Sequence, residues 1–497
     1  MSFYKTMKEI LSVENMRQSD AHTIATEVSS LELMYRAGKA VADSVEWHAP
    51  VGIVCGVGNN AGDGYVIALE LKKRSIDCTL LLLEERFSPD GKYYFDKCTE
   101  QNIPYEICTE DADLSRFSTL VDCIFGTGFK GEARGLAKTV IEKYNSSSAY
   151  KVSVDINSGM NGDTGMGETI AISDITCSIG SFKPGHFLNK AKDVIKEKIN
   201  LDIGIKPIDK PYYLYEPSAL PKRKNFSNKS TYGYVALIGG SKKYSGAIRL
   251  AAMANAAMRA GAGVAMLAVP DSISPYIIPN ILEATIYPLS NKDGEIVFNE
   301  SELSALASRV KTVAFGMGIG LSDETEKALG YLINNYEGRL IIDADGLTAL
   351  SRLGTDILKT ASCEIILTPH NMEFSRISGL PISEILSAPI DHAKAFAKEC
   401  NCTLLLKGPS TIVTDGETVY VVDRGCAGMA TAGSGDVLSG ILAATAAYIP
   451  SALEATALAA YINGAAGELA ESKTNPISMT AGDTVSAIPQ IITEILK

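Results

Sequence analysis

The chain has 497 residues, more than a single hydrophobic core usually supports, so at least two domains are expected. Hydrophobic residues make up 46% and charged residues 21%, which is the balance of an ordinary globular protein. The formal net charge of −12 argues against non-specific binding to DNA or to anionic membranes, so neither is expected as a partner.

The cysteines and the apolar stretches indicate the compartment. Ten cysteines are scattered along the chain without a CxxC pair, which gives zinc-ribbon and thioredoxin-like sites no support and suits a reducing cytosol. The N-terminal MSFYKTMKEI lacks the apolar stretch of a signal peptide. The most apolar long stretch, residues 441–470, is interrupted by Pro450 and by polar residues, so it predicts a packed helix pair rather than a membrane span. A cytoplasmic protein is expected.

In the first half of the chain, short apolar strand candidates alternate with helical patterns. VGIVCGVG (51–58) predicts a strand and a Gly-rich turn, residues 63–74 predict a helix, and CTLLLLE (78–84) predicts the next strand. STLVDCIFGTG (118–128) and YKVSVDINSG (150–159) repeat the strand and the turn. This order predicts a Rossmann-like, doubly wound parallel sheet. Ligands of such sheets bind at the carboxyl ends of the strands, where all three polar turns fall.

A proline-rich segment separates the two halves of the chain. Four prolines between residues 205 and 232 precede the basic polar run KRKNFSNKS, which is typical of a linker or a domain entry. The second half restarts with YGYVALIGGS (232–241), a predicted helix at 247–260 and the strand GVAMLAV (263–269). Three further buried strands that end in polar residues are predicted at 339–347, 363–370 and 402–409. This half is therefore predicted to be α/β as well.

The turn GVGNNAGDG at residues 56–64 combines backbone features of an anion site with polar side chains. Glycine permits close approach of the backbone to a phosphate, and the N-terminus of the following helix offers free N–H groups. Asn59, Asn60 and Asp63 add side-chain polarity that a dinucleotide fingerprint does not need. A structural tight turn is the alternative interpretation.

Two further strand ends bring oxygen-bearing side chains to the same edge of the predicted sheet. Asp122 precedes the turn GTGFKGE (126–132), and Asp155 ends a third strand with Ser158 just after it. Asp122, Ser158 and Asn60 could share a cation through hard oxygen ligands. Asp155 is a candidate acid/base group. A turn cap would explain each aspartate alone, but the joint pattern favours a site.

A resemblance to the NAD(P)H-hydrate epimerase family, the YjeF N-terminal type, is carried by ENMRQSD (14–20), LMYRAG (33–38), GVGNNAGDG, DCIFGTGFKG and VDINSGMNGDTG (154–165). It covers roughly residues 1–210. The substrate contacts that it implies come from Asn59, Asn60, Ala61, Gly62 and Asp63, from Gly126, Thr127, Gly128, Phe129, Lys130, Gly131 and Glu132, and from Asp155. It also implies potassium binding by Asn60, Asp122 and Ser158. Asp155 is the implied proton-transfer group that interconverts the R and S hydrates at nicotinamide C6. Tyr35 stands where the family usually has an acidic residue, and Asn157 stands where it usually has proline.

In the second half, CAGMATAGSGDVLSGILAA (426–444) places a small, Gly-rich loop before a helix predicted to begin near Asp436. Gly433, Ser434 and Gly435 can present successive backbone N–H groups to an anion, and the helix dipole adds to this. Asp436 can take a proton from a hydroxyl that attacks a phosphoryl group. The motif is not a P-loop, because GKS and GKT are absent. A Gly-rich helix start with an aspartate cap is the alternative.

Three other segments of the second half end in polar or Gly-rich turns. Lys407 in LLLKGPSTIV (404–413) is positioned as a point charge for a phosphate, with a solvated lysine as the alternative. AFGMGIG (314–320) is a Gly turn after a strand. His370 in TPHNMEF lies at a strand end, where a structural hydrogen-bonding role is the alternative.

The whole second half, about residues 223–497, resembles the NAD(P)H-hydrate dehydratase family, a branch of the ribokinase-like fold. The matching segments are IGGSKKYSGAIRLAA, RAGAGVAML, GMGIG, DADGL, LTPHNMEF, LKGPSTIV and GMATAGSGDVLSG. The resemblance implies hydrate contacts from Gly318, His370 and Asp436. It implies adenine-nucleotide contacts from Lys407, Gly408, Pro409, Ser410 and Thr411, and from Cys426, Gly428, Met429, Ala430, Thr431, Ala432, Gly433, Ser434 and Gly435. Ala432 and Ser434 replace a more usual glycine and threonine, and both are small.

Together, the two resemblances predict a bifunctional metabolite-repair enzyme with an epimerase domain at 1–210, a linker at 211–222 and an ADP-dependent dehydratase domain at 223–497. The first domain would interconvert the R and S hydrates of NADH and NADPH, called NADHX and NADPHX. The second would dehydrate the S form at the expense of ADP, giving AMP and phosphate, with Mg²⁺ as the counterion of the nucleotide. The prediction of ADP as the nucleotide rests only on the fusion of the two domains in one chain. A homo-oligomer is expected.

Two other classes of protein compete with this prediction. A ribokinase-type small-molecule kinase with a Rossmann-like regulatory domain would also explain the loop at 426–440. A binding protein whose N-terminal domain has lost catalysis is the second alternative. The presence of Asp155, Asn60 and Asp122 argues against the binding protein.

Overall fold

The computed structural model describes residues 7–218, 220–253 and 256–497. The chain divides into two compact units, an N-terminal unit that spans Glu9–Tyr212 and a C-terminal unit that includes Tyr213–Lys497. The predicted first domain, the predicted linker at 211–222 and the predicted helix at 247–260 each include residues that lie outside the described part.

In the N-terminal part of the chain, strands and helices alternate. The strands are β1 (Lys8–Ile10), β2 (Val51–Cys55), β3 (Cys78–Leu82), β4 (Tyr105–Ile107), β5 (Thr119–Cys123), β6 (Tyr150–Val154), β7 (Ser173–Ile179) and β8 (Ile195–Leu201). The helices are α1 (Val13–Thr26), α2 (Ser30–Ser44), α3 (Asn59–Lys73), α4 (Pro89–Glu100), α5 (Gly135–Ser146) and α6 (Ala191–Val194).

The N-terminal sheet is parallel throughout and has the order β4-β3-β2-β5-β6-β7-β8. Every residue of β2 is buried, as expected for a parallel strand with helices on both faces of the sheet. The strand order reverses between β2 and β5, and this switch point is where such sheets open a crevice for a ligand. The predicted doubly wound architecture is confirmed.

The C-terminal unit continues the alternation. Its strands are β9 (Tyr212–Leu214), β10 (Tyr234–Ile238), β11 (Val264–Pro270), β12 (Thr285–Leu289), β13 (Asn291–Lys292), β14 (Glu295–Ile296), β15 (Thr312–Phe315), β16 (Arg339–Ile342), β17 (Glu364–Leu367), β18 (Thr403–Leu406), β19 (Thr411–Thr414) and β20 (Val419–Val422). Its helices are α7 (Ser245–Met253), α8 (Ala256–Arg259), α9 (Ser274–Ile277), α10 (Glu300–Ala307), α11 (Asp323–Asn335), α12 (Asp345–Leu353), α13 (Asn371–Ser378), α14 (Ile382–Ser387), α15 (Pro389–Glu399), α16 (Ser434–Tyr448), α17 (Ala452–Lys473) and α18 (Ala481–Ile495).

The large C-terminal sheet has the order β9-β20-β19-β18-β17-β16-β15-β10-β11-β12. Its strands are parallel except where β19 pairs with β18 and with β20. The strand order reverses between β10 and β15, so this sheet also has a switch point. The second half is α/β, as its sequence predicts.

The Ala-rich stretch at 441–470 forms α16 and α17, which pack against each other in the core of the C-terminal unit. This confirms the predicted helix pair. Across the described ranges, no helix combines the length and the apolar character that a membrane crossing requires. The ten cysteines are free thiols, and all except the partly exposed Cys426 are buried.

Two helices begin earlier than their sequences predict. α3 begins at Asn59 rather than at Asp63, because Gly58 is the extended residue before the helix. α16 begins at Ser434 rather than near Asp436, because the left-handed Gly433 is its N-cap. As a result, residues 59–63 form a helical turn and not a loop.

Candidate active sites

A cavity of about 570 Å³ opens at the switch point of the N-terminal sheet. The predicted residues that line it are Asn59, Asn60, Asp63, Gly126, Thr127, Gly128, Phe129 and Asp155. Ala61 and Gly62 are buried in α3, and a Cβ atom on Gly62 would lie only 2.4 Å from Met34 Sδ. The last three residues of the predicted substrate loop, Lys130, Gly131 and Glu132, are not among the residues that line this cavity.

Asp155 lies directly after β6 with φ at +64°, a conformation uncommon for residues other than glycine. Its Oδ1 accepts a hydrogen bond from Lys183 Nζ at 2.5 Å, and its Oδ2 accepts one from the Thr127 backbone N–H at 3.4 Å. Burial alone would raise the pKa of Asp155, but the buried Lys183 ammonium outweighs burial and holds this pKa below its ordinary value. The Asp155 carboxylate is therefore ionised at neutral pH and can accept a proton.

His186 supports Asp155 from the segment that follows β7. Its Nδ1 accepts a hydrogen bond from the Lys183 backbone N–H at 2.9 Å, so Nε2 carries the proton that it donates to the Asp155 carbonyl oxygen at 2.8 Å. Burial, and then the Lys183 charge, lower the pKa of His186 to about 3, so the imidazole is neutral at physiological pH. Sequence reasoning missed Lys183 and His186. They follow β7, which neighbours β6 in the sheet, and no local sequence signal marks that adjacency.

Asn60, Asp122 and Ser158 come together beneath the cavity. The Asn60 amide Nδ2 donates to the carbonyl oxygens of Phe125 and Val154, which leaves its buried Oδ1 without a hydrogen-bond partner. Ser158 donates from its hydroxyl to Asp122 Oδ1 at 2.5 Å and from its backbone N–H to Asp122 Oδ2 at 2.8 Å. Oγ of Ser158 also lies 3.3 Å from the Phe125 oxygen to which Asn60 donates. The set consists of hard oxygens, one of them unpaired, and fits a hard cation such as potassium.

The two departures from the epimerase pattern leave this arrangement intact. Nδ2 of Asn157 donates to the Ala171 carbonyl oxygen at 2.7 Å and to Ser173 Oγ at 2.9 Å, and Oδ1 accepts from Thr176 Oγ1 at 2.6 Å. These bonds hold the turn that precedes Ser158. The Tyr35 hydroxyl donates to Glu70 Oε1 at 3.2 Å.

In the C-terminal unit, the strand ends of β16 and β18 bring Asp343 and Lys407 together. Lys407 Nζ lies 2.6 Å from Asp343 Oδ1, and Ser439 Oγ donates to Asp343 Oδ2 at 2.6 Å. Burial would raise the pKa of Asp343, but the Lys407 ammonium and these hydrogen bonds lower it. Sequence reasoning predicted a site role for Lys407 but none for Asp343, which the segment DADGL contains.

Asp436 lies in the first turn of α16, next to this ion pair. Burial, followed by the negative charge of Asp343, raises the pKa of Asp436 to about 7, although Lys407 opposes the shift. A Cβ atom on Gly435 would lie 3.6 Å from Lys407 Nζ and 3.9 Å from Asp343 Oδ2, so the Gly-rich loop meets the pair directly. A carboxyl with this pKa is suited to general base catalysis near neutral pH.

The Gly-rich loop before α16 is fixed at both ends. Gly433 has φ at +96°, and a Cβ atom there would lie 2.4 Å from Leu250 Cδ1, so the position requires glycine. At the start of the loop, the backbone N–H groups of Gly425 and Gly428 donate to Glu468 and Glu471 of α17, each at 2.7 Å. Sequence reasoning missed both glutamates, because nothing in a helical repeat marks which carboxylates turn toward a distant loop.

Two further predicted contacts serve structural roles in this part of the chain. His370 caps α13, with its Nδ1 accepting from the backbone N–H groups of Met372 at 3.1 Å and Glu373 at 3.2 Å, and it pairs with Lys407 through a β-bridge. Ser410 is buried and donates to Asp423 Oδ1 at 2.8 Å.

The other predicted contacts lie in turns and short loops. Gly318 has φ at +62° and lies in the turn after β15. Gly408 and Pro409 lie between β18 and β19, Thr411 begins β19, and Cys426, Met429, Ala430, Thr431 and Ala432 precede Gly433. Ser434 has a buried hydroxyl without a hydrogen-bond partner.

Two α/β units, each with a buried carboxyl group at the carboxyl ends of its central strands, define a two-unit α/β enzyme with sites suited to nucleotide-like ligands. A family described as NAD(P)H-hydrate dehydratase matches residues 235–490, and one described as YjeF-related protein N-terminus matches residues 30–185. The chain belongs to the family of bifunctional NAD(P)H-hydrate repair enzymes, as its sequence motifs predict.

The similarity extends over nearly the full length of its relatives. The bifunctional NAD(P)H-hydrate repair enzyme Nnr of Hyperthermus butylicus is 32% identical, with 98% of this chain and 92% of the relative covered. The enzyme of the same name from Archaeoglobus fulgidus is 33% identical, with 97% and 98% covered. Among solved structures, the chain is similar to the ADP/ATP-dependent NAD(P)H-hydrate dehydratase from Bacillus subtilis, with 25% identity and a TM-score of 0.49 over 56% of this chain and 95% of that one.

Proposed function

We propose that the chain restores hydrated nicotinamide cofactors through two reactions, one in each unit. The observation that carries the proposal is the presence of two strand-end sites, each with a carboxyl group of shifted pKa, on a chain that matches bifunctional repair enzymes almost end to end. An epimerase domain at 1–210 interconverts the R and S forms of NADHX and NADPHX. After the linker at 211–222, a dehydratase domain at 223–497 converts the S form to NADH or NADPH.

In the epimerase domain, Asp155 is the proposed proton acceptor. Lys183 keeps its carboxylate ionised, and the neutral His186 holds its backbone in the strained conformation. The substrate is held by the cavity residues of α3 and of the loop that begins at Gly126. We assign potassium to Asn60, Asp122 and Ser158 on the basis of the unpaired Asn60 oxygen. When bound, the ion would supply a fixed positive charge next to the cavity that Asn60 lines.

In the dehydratase domain, the chemistry begins with a poor leaving group, because hydroxide does not depart readily from C6. Asp436 removes the proton of the C6 hydroxyl, whose oxygen forms a bond to the terminal phosphorus of ADP as the bond to AMP breaks. The ring-nitrogen lone pair then expels phosphate from C6, and loss of a C5 proton restores the dihydronicotinamide ring. Lys407 and the backbone N–H groups of residues 433–435 are proposed to hold the phosphates.

ADP is the proposed phosphoryl donor because the two domains are fused in one chain. Mg²⁺ is the proposed counterion of its phosphates. Within the described ranges, no group of three or more His, Cys, Asp or Glu side chains could hold a metal ion. Mg²⁺ is usually held by phosphate oxygens and water together with one or two carboxylates, so the ion is proposed to bind mainly through the nucleotide. The proposed partners are small molecules, the proposed compartment is the cytoplasm, and a homo-oligomer stays a prediction that light scattering can test.

The decisive experiment incubates the purified chain with a mixture of R and S NADHX and follows the NADH absorbance with ADP, with ATP or without nucleotide. Full recovery of NADH with ADP, together with release of AMP, supports both activities and the nucleotide. Recovery that stops at the S fraction would contradict the epimerase. No recovery with either nucleotide, together with a stably phosphorylated metabolite, would favour the ribokinase-type kinase instead.

A further inference from the structure

The epimerisation proposed above needs a second proton carrier besides Asp155, and this inference rests on that proposed function. The C6 carbon of the hydrate carries both a hydroxyl and the ring nitrogen. Its configuration can be inverted without expelling hydroxide if the bond between C6 and the nitrogen breaks and forms again. That route needs one group to remove the hydroxyl proton and another to give a proton to the nitrogen.

The cavity contains a second carboxyl group in a different setting. Asp63 directly follows the first turn of α3 and lines the same cavity as Asp155. Asp155 has a lysine and a backbone N–H on its two oxygens. Among the described residues, the Asp63 side chain has no hydrogen-bond or ion-pair partner. Both carboxyl groups therefore line one cavity, but only the negative charge of Asp155 is stabilised by a cation and a hydrogen bond.

Within the described part of the chain, none of the other charged groups that line the cavity forms an ion pair with the Asp63 carboxyl group. Lys183 is bonded to Asp155, and Arg17 is bonded to Glu14 at 2.9 Å. The remaining charged side chains in the lining, Asp20 and Asp90, are acidic. Burial first, and then the negative charges of Asp155 and Asp20, raise the pKa of Asp63 well above its ordinary value. Enzymes obtain an acid and a base at one pH by placing two carboxyl groups in environments that give them different pKa values.

We propose that Asp63 is a second catalytic residue of the epimerase, which donates a proton to the ring nitrogen of the hydrate while Asp155 removes the proton of the C6 hydroxyl. The C6–N bond breaks as the C6–O bond becomes a carbonyl, and the product is an open-chain aldehyde with a protonated nitrogen. Rotation about the C5–C6 bond presents the other face of the aldehyde. The nitrogen then attacks C6 and returns its proton to Asp63, and the oxygen recovers its proton from Asp155, so no net proton or electron is gained or lost.

The test starts from pure R-NADHX without nucleotide and follows the appearance of the S form by chromatography. Asp63→Asn is expected to lower the epimerisation rate about 100-fold or more, the contribution of a general acid. Asp63→Glu restores a carboxyl and is expected to recover part of the rate. Asp20→Asn is the matched comparison, because Asp20 lines the same cavity and its pKa is also raised by burial. It is expected to keep most of the rate.

A pH profile separates catalysis from a structural role. The wild-type rate is expected to fall as the pH rises through the pKa of Asp63, because the acid loses its proton. This limb should vanish in Asp63→Asn and persist in Asp20→Asn. Dehydration of S-NADHX by the same variants monitors the integrity of the chain and should equal the wild-type rate.

Each outcome distinguishes this assignment from the proposed function. An Asp63→Asn variant within threefold of wild type, or one that keeps the high-pH limb, overturns the role of Asp63. If Asp20→Asn loses both the epimerisation rate and its fall at high pH, Asp20 is the proton donor, and the assignment of Asp63 is likewise overturned. A wild-type chain that leaves R-NADHX unchanged contradicts the epimerase itself, and the assignment then falls with it.

Discussion

Lys407 and the buried Asp343 form an ion pair in which Nζ lies 2.6 Å from Oδ1, although 64 positions of sequence separate them. The lysine proposed for phosphate binding is thus held in place before any nucleotide arrives. Asp343 in turn accepts a hydrogen bond from Ser439 of α16, and Asp436 lies three residues before Ser439 on the same helix. The pair therefore connects the sheet edge to the helix that carries the proposed base.

Replacing Lys407 with alanine is expected to lower both stability and nucleotide affinity. The change leaves Asp343 buried without its cation, a loss that costs about 3–5 kcal/mol in comparable pairs. Urea unfolding of the C-terminal unit and calorimetric ADP titration measure the two effects. Lys398→Ala is the control, because Lys398 pairs with Glu417 on the surface, where about 1 kcal/mol or less is expected. Equal losses in the two variants would contradict the prediction.

Asp436→Asn is expected to abolish dehydration and leave ADP binding intact. The wild-type rate should rise with pH and level off above about 7, because the base acts in its deprotonated form and its pKa is about 7. Stopped assays of S-NADHX turnover between about pH 5.5 and 8.5 measure this rise of the dehydration rate with pH. Epimerisation by the same variant serves as the internal control and should be unchanged. Full dehydration by the variant would remove Asp436 from the mechanism.

Gly433→Ala is expected to disable the Gly-rich loop before α16, which is proposed to bind the nucleotide. The added methyl group would meet Leu250 Cδ1 at 2.4 Å, and the positive φ adds strain of about 1–2 kcal/mol. We expect a higher KM for ADP and a lower free energy of unfolding. Gly330→Ala in α11 is the matched control, since a Cβ there meets nothing within 4 Å, and it should be neutral or slightly stabilising. A normal KM in Gly433→Ala would show that the loop tolerates the side chain.

Potassium is expected to raise the unfolding temperature of the N-terminal unit, and Ser158→Ala should remove most of that response. Ser153→Ala provides the comparison, because Ser153 also donates to Asp122 and is equally buried, but it is not a proposed ligand. Ser153→Ala loses its hydrogen bond to Asp122, worth about 1 kcal/mol, whereas Ser158→Ala loses its bond to Asp122 and the one that it accepts from the Phe125 backbone N–H. Ser158→Ala is therefore expected to be the less stable variant, and only Ser158→Ala should lose the potassium dependence. Calorimetry in potassium and in lithium chloride measures the difference. Equal responses in both variants would contradict the ligand assignment.

The strand ends of both sheets could be predicted from sequence because apolar runs that stop at Gly-rich polar turns report local geometry. Asp155 directly follows such an apolar run, and Asp436 directly follows a Gly-rich loop, so local sequence marks both positions. It could not show that Lys183 bonds to Asp155, because that contact depends on β7 lying beside β6. Tertiary structure decides which strands lie side by side, and the residues around SFKPGH do not show it.

The hydrogen bonds that fix the Gly-rich loop could not be predicted from sequence, for a related reason. Glu468 and Glu471 are ordinary members of a long helix, and their roles arise only where α17 passes the loop. The start of α3 was placed four residues late because the polar run after Gly58 looks like a turn. Its backbone nevertheless adopts helical hydrogen bonding from Asn59.

Burial raises the pKa of all ten cysteine thiols, including Cys426 in the Gly-rich loop, where it reaches about 11. At neutral pH these groups remain protonated, whereas the thiolate is the form that reacts with peroxides and alkylating agents. Repair of redox cofactors by this chain is therefore expected to continue under oxidative stress that silences enzymes with ionised thiols.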